Sequence, residues 1–146
     1  MDHRLRPATP GDQARLWEIK RRGLRAYIEQ TWGTWDDEVQ RARFDASFEP
    51  AEIQVIVVAE RVAGYLAVHR EPQAIQLLNL MVDPEFQNRG LGTAVLRGLL
   101  AEAQARQMPV RLQVMKVNPA RRLYERIGFT VTEETATHFR MRWSPA

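Results

Sequence analysis

One stretch of the sequence combines residues that suit the binding of an anion. Gly90 and Gly92 open an amphipathic helical pattern directly after a predicted strand and a short polar turn. Backbone N–H groups at a helix start carry partial positive charge, and glycines let a phosphate approach the main chain closely. Arg89 adds a formal charge and Thr93 a hydroxyl group. The stretch therefore predicts a site for an anion, above all a pyrophosphate, although a tight turn without a ligand also uses two glycines.

Two familiar nucleotide-binding patterns do not fit this turn. The dinucleotide fingerprint needs a third glycine and an acidic residue at the end of the following strand, which here ends at Val117 without one. The Walker loop needs a lysine followed by serine or threonine after its glycines, and this is also missing. The turn therefore matches neither of these two phosphate-binding patterns.

The hydrophobic pattern predicts the first elements that position this turn. A short strand over residues 3–6 precedes two helices, since the apolar residues that follow recur at helical spacing. Thr34 or Asp36 caps the second helix, which ends near Pro50. The side chains predicted to face inward are Leu16, Ile19, Leu24, Val39, Phe44 and Phe48.

From residue 53 the apolar pattern changes from helical to extended. β-Branched residues predict a hairpin with its tip at Glu60-Arg61, and a third strand stops at Asp83-Pro84 because proline cannot continue a ladder. The remaining predicted elements are a helix over 90–107, a strand over 110–117, a short helix over 119–127 and strands over 129–131 and 139–143. Antiparallel strands before a strand–helix–strand crossover predict an α/β fold with a mixed sheet, in a single domain over residues 1–146.

Composition excludes several classes of protein. The 146 residues are 45% hydrophobic and 27% charged, which is ordinary for a globular domain. The absence of cysteine excludes a disulfide scaffold, a thiolate nucleophile and cysteine-ligated metals. No apolar run approaches the roughly 20 residues of a membrane-spanning helix, and the first residues lack the apolar stretch of a signal peptide. We therefore expect a cytoplasmic protein without membrane association.

The net charge of +3 does not by itself indicate nucleic-acid binding. The 21 basic residues nearly balance the 18 acidic ones, and long blocks of like charge do not occur. A local cationic pocket for a phosphorylated small molecule fits this balance better than a nucleic-acid surface does. His3 and His138 lie far from any convincing ligand set, so we expect no metal site.

Two sequence blocks together carry the strongest indication of function. The first is Gln87-x-x-Gly90-x-Gly92, after a strand that ends in Met81-Val82-Asp83-Pro84. The second spans residues 118–129, with the sequence NPARRLYERIGF. They resemble the acyl-coenzyme A signature and the later motif of the GNAT superfamily of N-acetyltransferases. This resemblance runs from about residue 53 to the C-terminus. It implies a mostly antiparallel central sheet that is splayed at the cofactor site and flanked by about four helices.

The resemblance also implies acetyl-coenzyme A as the co-substrate, together with its contacts. Asn118 matches a side-chain contact to the cofactor, and Tyr124 matches the phenol proposed to protonate the departing thiolate. Each has a simpler alternative, because Asn118 ahead of a proline is an ordinary helix cap and Tyr124 can simply pack its ring. The backbone positions implied for the pantetheine arm are Leu80, Met81 and Val82, and those for the pyrophosphate are Gln87, Asn88, Arg89, Gly90, Leu91 and Gly92, with Thr93.

The sequence departs from the family pattern at the position of the general base. Many members carry a glutamate eleven residues ahead of the signature glutamine, where this chain has Gln76. An amide does not accept a proton usefully, so the base is a water chain or another side chain. The candidates are Glu29, Asp36, Asp37, Glu38, His69 and Glu71, although each of these acids also fits a solvated surface charge.

The predicted binding site for the acceptor amine consists of aromatic and acidic residues near the junction of the first two helices. Tyr27, Glu29 and Trp32 suit a cationic amine through cation–π contact and charge pairing. The alternative is that Trp32 and Trp35 only plug the end of the core. Asn79, on a buried strand, either contacts substrate or satisfies neighbouring polar groups.

These observations predict an N-acetyltransferase that acts on a primary amine, a small molecule, by direct attack in a ternary complex. A protein or peptide acceptor is the alternative within the same chemistry. A non-catalytic sensor that binds acyl-coenzyme A is the alternative outside it. Fold-level analogy adds a possible homodimer, formed through an exposed last strand over residues 139–143.

Overall fold

The elements of the chain follow the predicted order. The computed structural model describes residues 2–146, and within them no helix is both long enough and apolar enough to cross a membrane. The helices in this range are α1 (Gln13–Trp32), α2 (Asp37–Ser47), α3 (Leu91–Arg106) and α4 (Ala120–Ile127). The strands are β1 (Arg4–Pro7), β2 (Ile53–Val58), β3 (Arg61–Arg70), β4 (Ile75–Val82), β5 (Val110–Met115), β6 (Thr130–Glu134) and β7 (His138–Trp143).

The seven strands form one sheet in the order β1-β2-β3-β4-β5-β7-β6. The pairs β1–β2, β2–β3, β5–β7 and β6–β7 are antiparallel, whereas β4 and β5 are parallel. The parallel pairing joins residues 75–77 to residues 110–112. The predicted α/β class, with a mostly antiparallel sheet and four helices, is confirmed.

β7 lies inside the sheet, so the expectation that the last strand is an exposed edge is wrong. β5 and β6 pair with its two sides, and the backbone groups of β7 are therefore already used in ladders. β6 is the last strand in the order, and all of its residues are exposed. A second copy that extends the sheet at this end would pair with β6.

The chain folds as two compact units. The N-terminal unit contains the described residues up to Ala67 together with Asn79–Gly92. The C-terminal unit contains Val68–Leu78 and Thr93–Ala146. β3 and β4 each contribute residues to both units.

The core of the N-terminal unit is built on α1. Leu16 and Ile19 are completely buried. The Trp17 ring stacks on Trp35, with 6.0 Å between the ring centroids, and also contacts Phe44. Trp35 therefore packs against this core.

α2 begins and ends as predicted but turns one apolar residue outward. Asp36 caps it by accepting a hydrogen bond from Val39 N at 3.1 Å. Phe44 is buried, whereas 43% of Val39 is exposed, so the expectation that Val39 faces inward is wrong. Five residues correspond to about 140° around a helix, and Val39 therefore lies on another face from Phe44.

The C-terminal unit presents a polar face on β5. Val110, Leu112 and Val114 are buried, while Arg111 and Gln113 between them are exposed. Successive side chains of a strand point to opposite faces of the sheet. One face of β5 is therefore core and the other carries polar side chains.

Candidate active site

The turn after β4 is fixed by its own polar groups. Asp83 is completely buried, and its Oδ1 atom accepts a hydrogen bond from Glu85 N at 2.9 Å. Gln87 Nε2 donates to the carbonyl oxygen of Val82, also at 2.9 Å. These bonds set the path of the chain through the 3-10 turn Pro84–Phe86 to the start of α3.

The backbone that follows has room for an anion. Asn88 and Gly90 have left-handed φ angles of 63° and 76°. Such residues in a turn direct successive N–H groups into one concavity. A Cβ atom at Gly90 would meet no atom within 4 Å, and one at Gly92 would lie 3.8 Å from Val82 Cγ2. The space above Gly90 is therefore open, while Gly92 lies against Val82, and the residues present fit a pyrophosphate held by backbone amides.

Two arginines of α1 neutralise Asp83. Arg15 Nη2 lies 2.9 Å from Asp83 Oδ2, and Arg22 Nη1 lies 3.2 Å from the same oxygen. Burial alone would raise the pKa of Asp83, but the hydrogen bond from Glu85 N and the two guanidinium groups outweigh it and hold this pKa below its usual value. The ionised carboxylate ties the turn to α1. Helical periodicity does not reveal this contact, because its partners lie 61 and 68 residues apart in the chain.

β4 also approaches β3 closely at Met81. A Cβ atom at Gly64 would lie 2.1 Å from the carbonyl oxygen of Met81, so only glycine fits there. Gly64 was not among the residues predicted for the site. An isolated glycine within a strand is nevertheless a recognised sign of close backbone approach.

In the C-terminal unit, Asn118 caps α4. Its Oδ1 atom accepts a hydrogen bond from Ala120 N at 2.9 Å. Asn118 therefore has the helix-capping role that the sequence offered as the simpler alternative to a cofactor contact. This bond uses Oδ1 only, and the Nδ2 group remains chemically able to donate to a ligand.

Tyr124 is a buried residue of α4. Its ring meets Phe129 edge-on, with 5.6 Å between the ring centroids, so the packing role raised by the sequence is also present. Burial raises the pKa of Tyr124 to about 12. The phenol is therefore neutral at physiological pH and carries a proton that it can donate.

The residues predicted for the acceptor lie on α1 and β4 of the N-terminal unit. Tyr27 and Asn79 are half-buried, and Trp32 is 56% exposed. Glu29 pairs with Arg25 within α1, with 2.7 Å between Oε1 and Nε. Trp32, unlike Trp35, therefore does not plug the core.

The candidate bases differ in the ion pairs and hydrogen bonds that they already make within the protein. Glu29 is ion-paired, Asp36 caps α2, and Asp37 accepts a hydrogen bond from Trp35 Nε1 at 2.7 Å. Glu38 is exposed in the first turn of α2. The other two, His69 and Glu71, lie in the C-terminal unit at the end of β3 and just after it.

Gln76, at the position where the family pattern has a glutamate, lines a groove in the C-terminal unit. The groove has a volume of about 450 Å³ and is lined by β4, β5, β6 and β7. Among residues 2–146, no group of three or more histidine, aspartate or glutamate side chains is arranged to hold a metal ion.

Comparison with known proteins identifies the family. A model of the acetyltransferase (GNAT) family matches residues 15–129, which include both sequence blocks. No curated protein sequence matched the chain.

Solved structures show the same fold. PaiA N-acetyltransferase from Thermoplasma acidophilum, in complex with coenzyme A, superposes with a TM-score of 0.77 at 17% identity, over 99% of each chain. The ribosomal-protein-S18-alanine N-acetyltransferase from Escherichia coli gives 0.73 at 20% identity, over 99% of this chain and 95% of that one. Naa20 from Chaetomium thermophilum, in complex with a bisubstrate analogue, gives 0.68 at 18% identity, over 97% and 86%.

At these identities the structures establish the fold, which is the one that the sequence resemblance implied. The family itself follows from the match over residues 15–129, which is most of the chain. The chain therefore belongs to the acetyltransferase (GNAT) family and is an acyltransferase.

Proposed function

We propose that the chain transfers the acetyl group of acetyl-coenzyme A to a primary amine, by direct attack in a ternary complex. The observation that carries this proposal is the family match, which runs through the glycine turn and the block that contains Tyr124. The same match extends through parts of both units. This supports treating residues 1–146 as one acetyltransferase domain.

The backbone of the N-terminal unit provides most of the proposed cofactor contacts. Acetyl-coenzyme A supplies an acetyl group activated as a thioester. The open space at Gly90 supports a pyrophosphate position on the turn, and the bound coenzyme A in the PaiA structure is consistent with this ligand class. The contacts proposed are backbone groups of Leu80, Met81 and Val82 for the pantetheine arm, amides of Gln87, Asn88, Arg89, Gly90, Leu91 and Gly92 for the pyrophosphate, the Thr93 hydroxyl and the Asn118 side chain.

Tyr124 is the proposed acid. Its raised pKa of about 12 keeps the phenol protonated, so it can donate to the sulfur as the thiolate departs. A thiol has a pKa of about 8.5, and complete proton transfer from this phenol to a thiolate is therefore unfavourable. We expect Tyr124 to act chiefly by donating a hydrogen bond to the developing charge.

The acceptor amine must lose a proton to attack. Gln76 does not accept one, and three of the candidate carboxylates are engaged by Arg25, by the start of α2 and by Trp35. These contacts support water as the proton acceptor. Among residues of the N-terminal unit, those proposed to contact the acceptor are Tyr27, Glu29, Trp32 and Asn79.

A small-molecule amine is the proposed acceptor, and a protein or peptide amine is the alternative. The alternative is supported by fold similarity to a ribosomal-protein-S18-alanine N-acetyltransferase and to Naa20. Thiol release from acetyl-coenzyme A, measured against a panel of amines and peptides, distinguishes the two. Binding of the coenzyme without thiol release from any acceptor would favour the non-catalytic sensor or an acceptor outside the panel.

A further inference from the structure

The groove in the C-terminal unit is strongly cationic. Its lining includes Arg111, Arg140 and Arg142 but no aspartate or glutamate. Its neutral polar side chains are Gln76, Gln113 and Thr132. A volume of about 450 Å³ lies within the range of small-molecule sites.

The strand register brings the arginines together. Arg111 of β5 stands directly opposite Arg142 of β7, and Gln113 stands opposite Arg140. On its other side Arg111 is in register with Gln76 of β4. Like charges directly opposite each other destabilise a pair of strands. The sheet therefore carries a concentration of positive charge that folding alone does not require.

Nearby groups neutralise this charge only in part. Arg140 Nη1 pairs with Glu133 Oε2 at 2.8 Å. Arg142 Nε donates to Ser144 Oγ at 3.2 Å, which brings no countercharge. Within the part of the chain that the structure describes, neither Arg111 nor Arg142 pairs with a carboxylate. Guanidinium groups in such a setting match the geometry of carboxylates and phosphates.

We propose that this groove binds a carboxylate or phosphate group of the acceptor, so that the substrate is an amine that also carries an anionic group. The inference rests on the proposed acetyltransferase function and names its substrate class. The anion lies against Arg111 and Arg142. The amide and hydroxyl groups of Gln76, Gln113 and Thr132 provide neutral hydrogen-bond acceptors for the amine.

The arginines also favour deprotonation of the bound acceptor, which must be a neutral amine to attack. Nearby positive charge disfavours an ammonium ion and lowers its pKa. A larger share of bound acceptor is then the neutral nucleophile at a given pH. A glutamate at the Gln76 position would act as a base, and the cationic groove supplies part of the same effect by electrostatics.

Phosphate binding tests the site without knowledge of the acceptor. In wild-type protein, inorganic phosphate should shift the Nε–Hε NMR signals of Arg111 and Arg142 saturably. The signal of Arg97, an exposed residue of α3, should not move. The shifts should persist with saturating acetyl-coenzyme A. Absence of saturable shifts, or equal shifts at Arg97, would overturn the proposal. Displacement of phosphate by coenzyme A would show that the arginines serve the coenzyme's own phosphates, which also overturns it.

Acceptor kinetics test the substrate class. We expect kcat/KM to be at least about tenfold higher for 2-aminoethylphosphonate than for ethylamine, and for β-alanine than for its amide. Arg111→Ala should remove this preference, Arg111→Lys should retain part of it, and the matched control Arg97→Ala should keep it. Equal use of charged and uncharged amines by the wild type would overturn the inference while leaving the transferase intact.

The pH profile separates an electrostatic role from a structural one. Removing Arg111 raises the pKa of the bound ammonium, so the acidic limb of kcat should move to higher pH in Arg111→Ala and stay in place in Arg97→Ala. An unmoved limb would contradict the electrostatic role. Failure of acetyl-coenzyme A to bind in calorimetry would instead remove the proposed function, and the phosphate shifts would still report on the groove.

Discussion

Asp83 has no exposed surface, and its Oδ2 atom lies 2.9 Å from Nη2 of Arg15 in α1. Asp83→Asn removes the charge that Arg15 and Arg22 neutralise and leaves both guanidinium groups without their carboxylate partner. Since both arginines are partly exposed, we expect the free energy of unfolding to fall by about 1–3 kcal/mol. Urea denaturation at pH 7 measures this change.

The control for this variant is Glu60→Gln. Glu60 pairs with Arg4 on the surface, where its side chain is 85% exposed. Exposed pairs contribute little to stability. Equal effects of the two substitutions would contradict the anchoring role of Asp83.

Because of Asp12, the free energy of unfolding should fall as the pH becomes acidic. Hydrogen bonds from Arg6, at 2.9 and 2.8 Å, and from Thr9 N lower the pKa of Asp12 to about 2, against the effect of burial. A depressed pKa stabilises the fold above the unfolded value of about 3.9, and this stability is lost as pH falls through the folded value. The contribution at pH 7 is about 2 kcal/mol.

Denaturation of wild type and Asp12→Asn over a pH series measures this contribution. The wild type should be the more stable at pH 7, and the two curves should converge between about pH 4 and pH 2. A difference that stays constant over this range would show that the pKa of Asp12 is not depressed.

Gly90→Trp should abolish binding of acetyl-coenzyme A. The indole would enter the open space above the turn, and the φ of 76° is strained for any residue with a Cβ atom. Thermal unfolding with and without coenzyme A gives the readout. Gly98→Ala in α3, where a Cβ also meets no atom within 4 Å, is the matched control and should bind normally. Micromolar affinity in Gly90→Trp would refute the placement of the pyrophosphate.

Tyr124→Phe should lower kcat by about 100-fold and leave the Kd for acetyl-coenzyme A unchanged. Because the pKa of the phenol is about 12, Tyr124 should produce no alkaline decline of kcat below about pH 11. Steady-state kinetics over pH, together with calorimetry, check both statements. Full turnover of the variant would show that Tyr124 does not assist the departure of the thiolate, either as an acid or as a hydrogen-bond donor.

Tyr65→Phe should stabilise the protein by about 1 kcal/mol. The Tyr65 hydroxyl is buried without a hydrogen-bond partner among the residues that the structure describes, and burial raises its pKa. An unsatisfied buried hydroxyl costs stability, which phenylalanine restores. The denaturation midpoint gives the answer, and a clear loss of stability would indicate a bound partner such as a buried water. Unchanged kcat in this variant is the control for Tyr124→Phe.

Local pattern predicted most of the fold. The amphipathic helix α3, the cap at Asp36 and the stop at Asp83-Pro84 each depend on residues close in sequence. Val39 and the position of β7 were predicted wrongly, because they depend on how an element is rotated or paired. Neither the face of a short helix nor the order of strands is fixed by local propensity.

The candidate site likewise has parts that local sequence predicted and parts that it did not. The glycine turn and the Asn118–Tyr124 block were visible because their residues are neighbours in sequence. The Asp83 contacts and the arginine groove were not, because Arg15 lies 68 residues from Asp83 and Arg111 meets Arg142 only through strand register. Tertiary pairing of this kind has no signature within either segment.

Calorimetric titration of the wild-type protein with acetyl-coenzyme A is the first test of the proposed coenzyme site. We expect saturable binding with micromolar affinity, and release of thiol when a suitable amine is then added. Absence of binding would contradict the assignment of the glycine turn to the coenzyme and the function built on it.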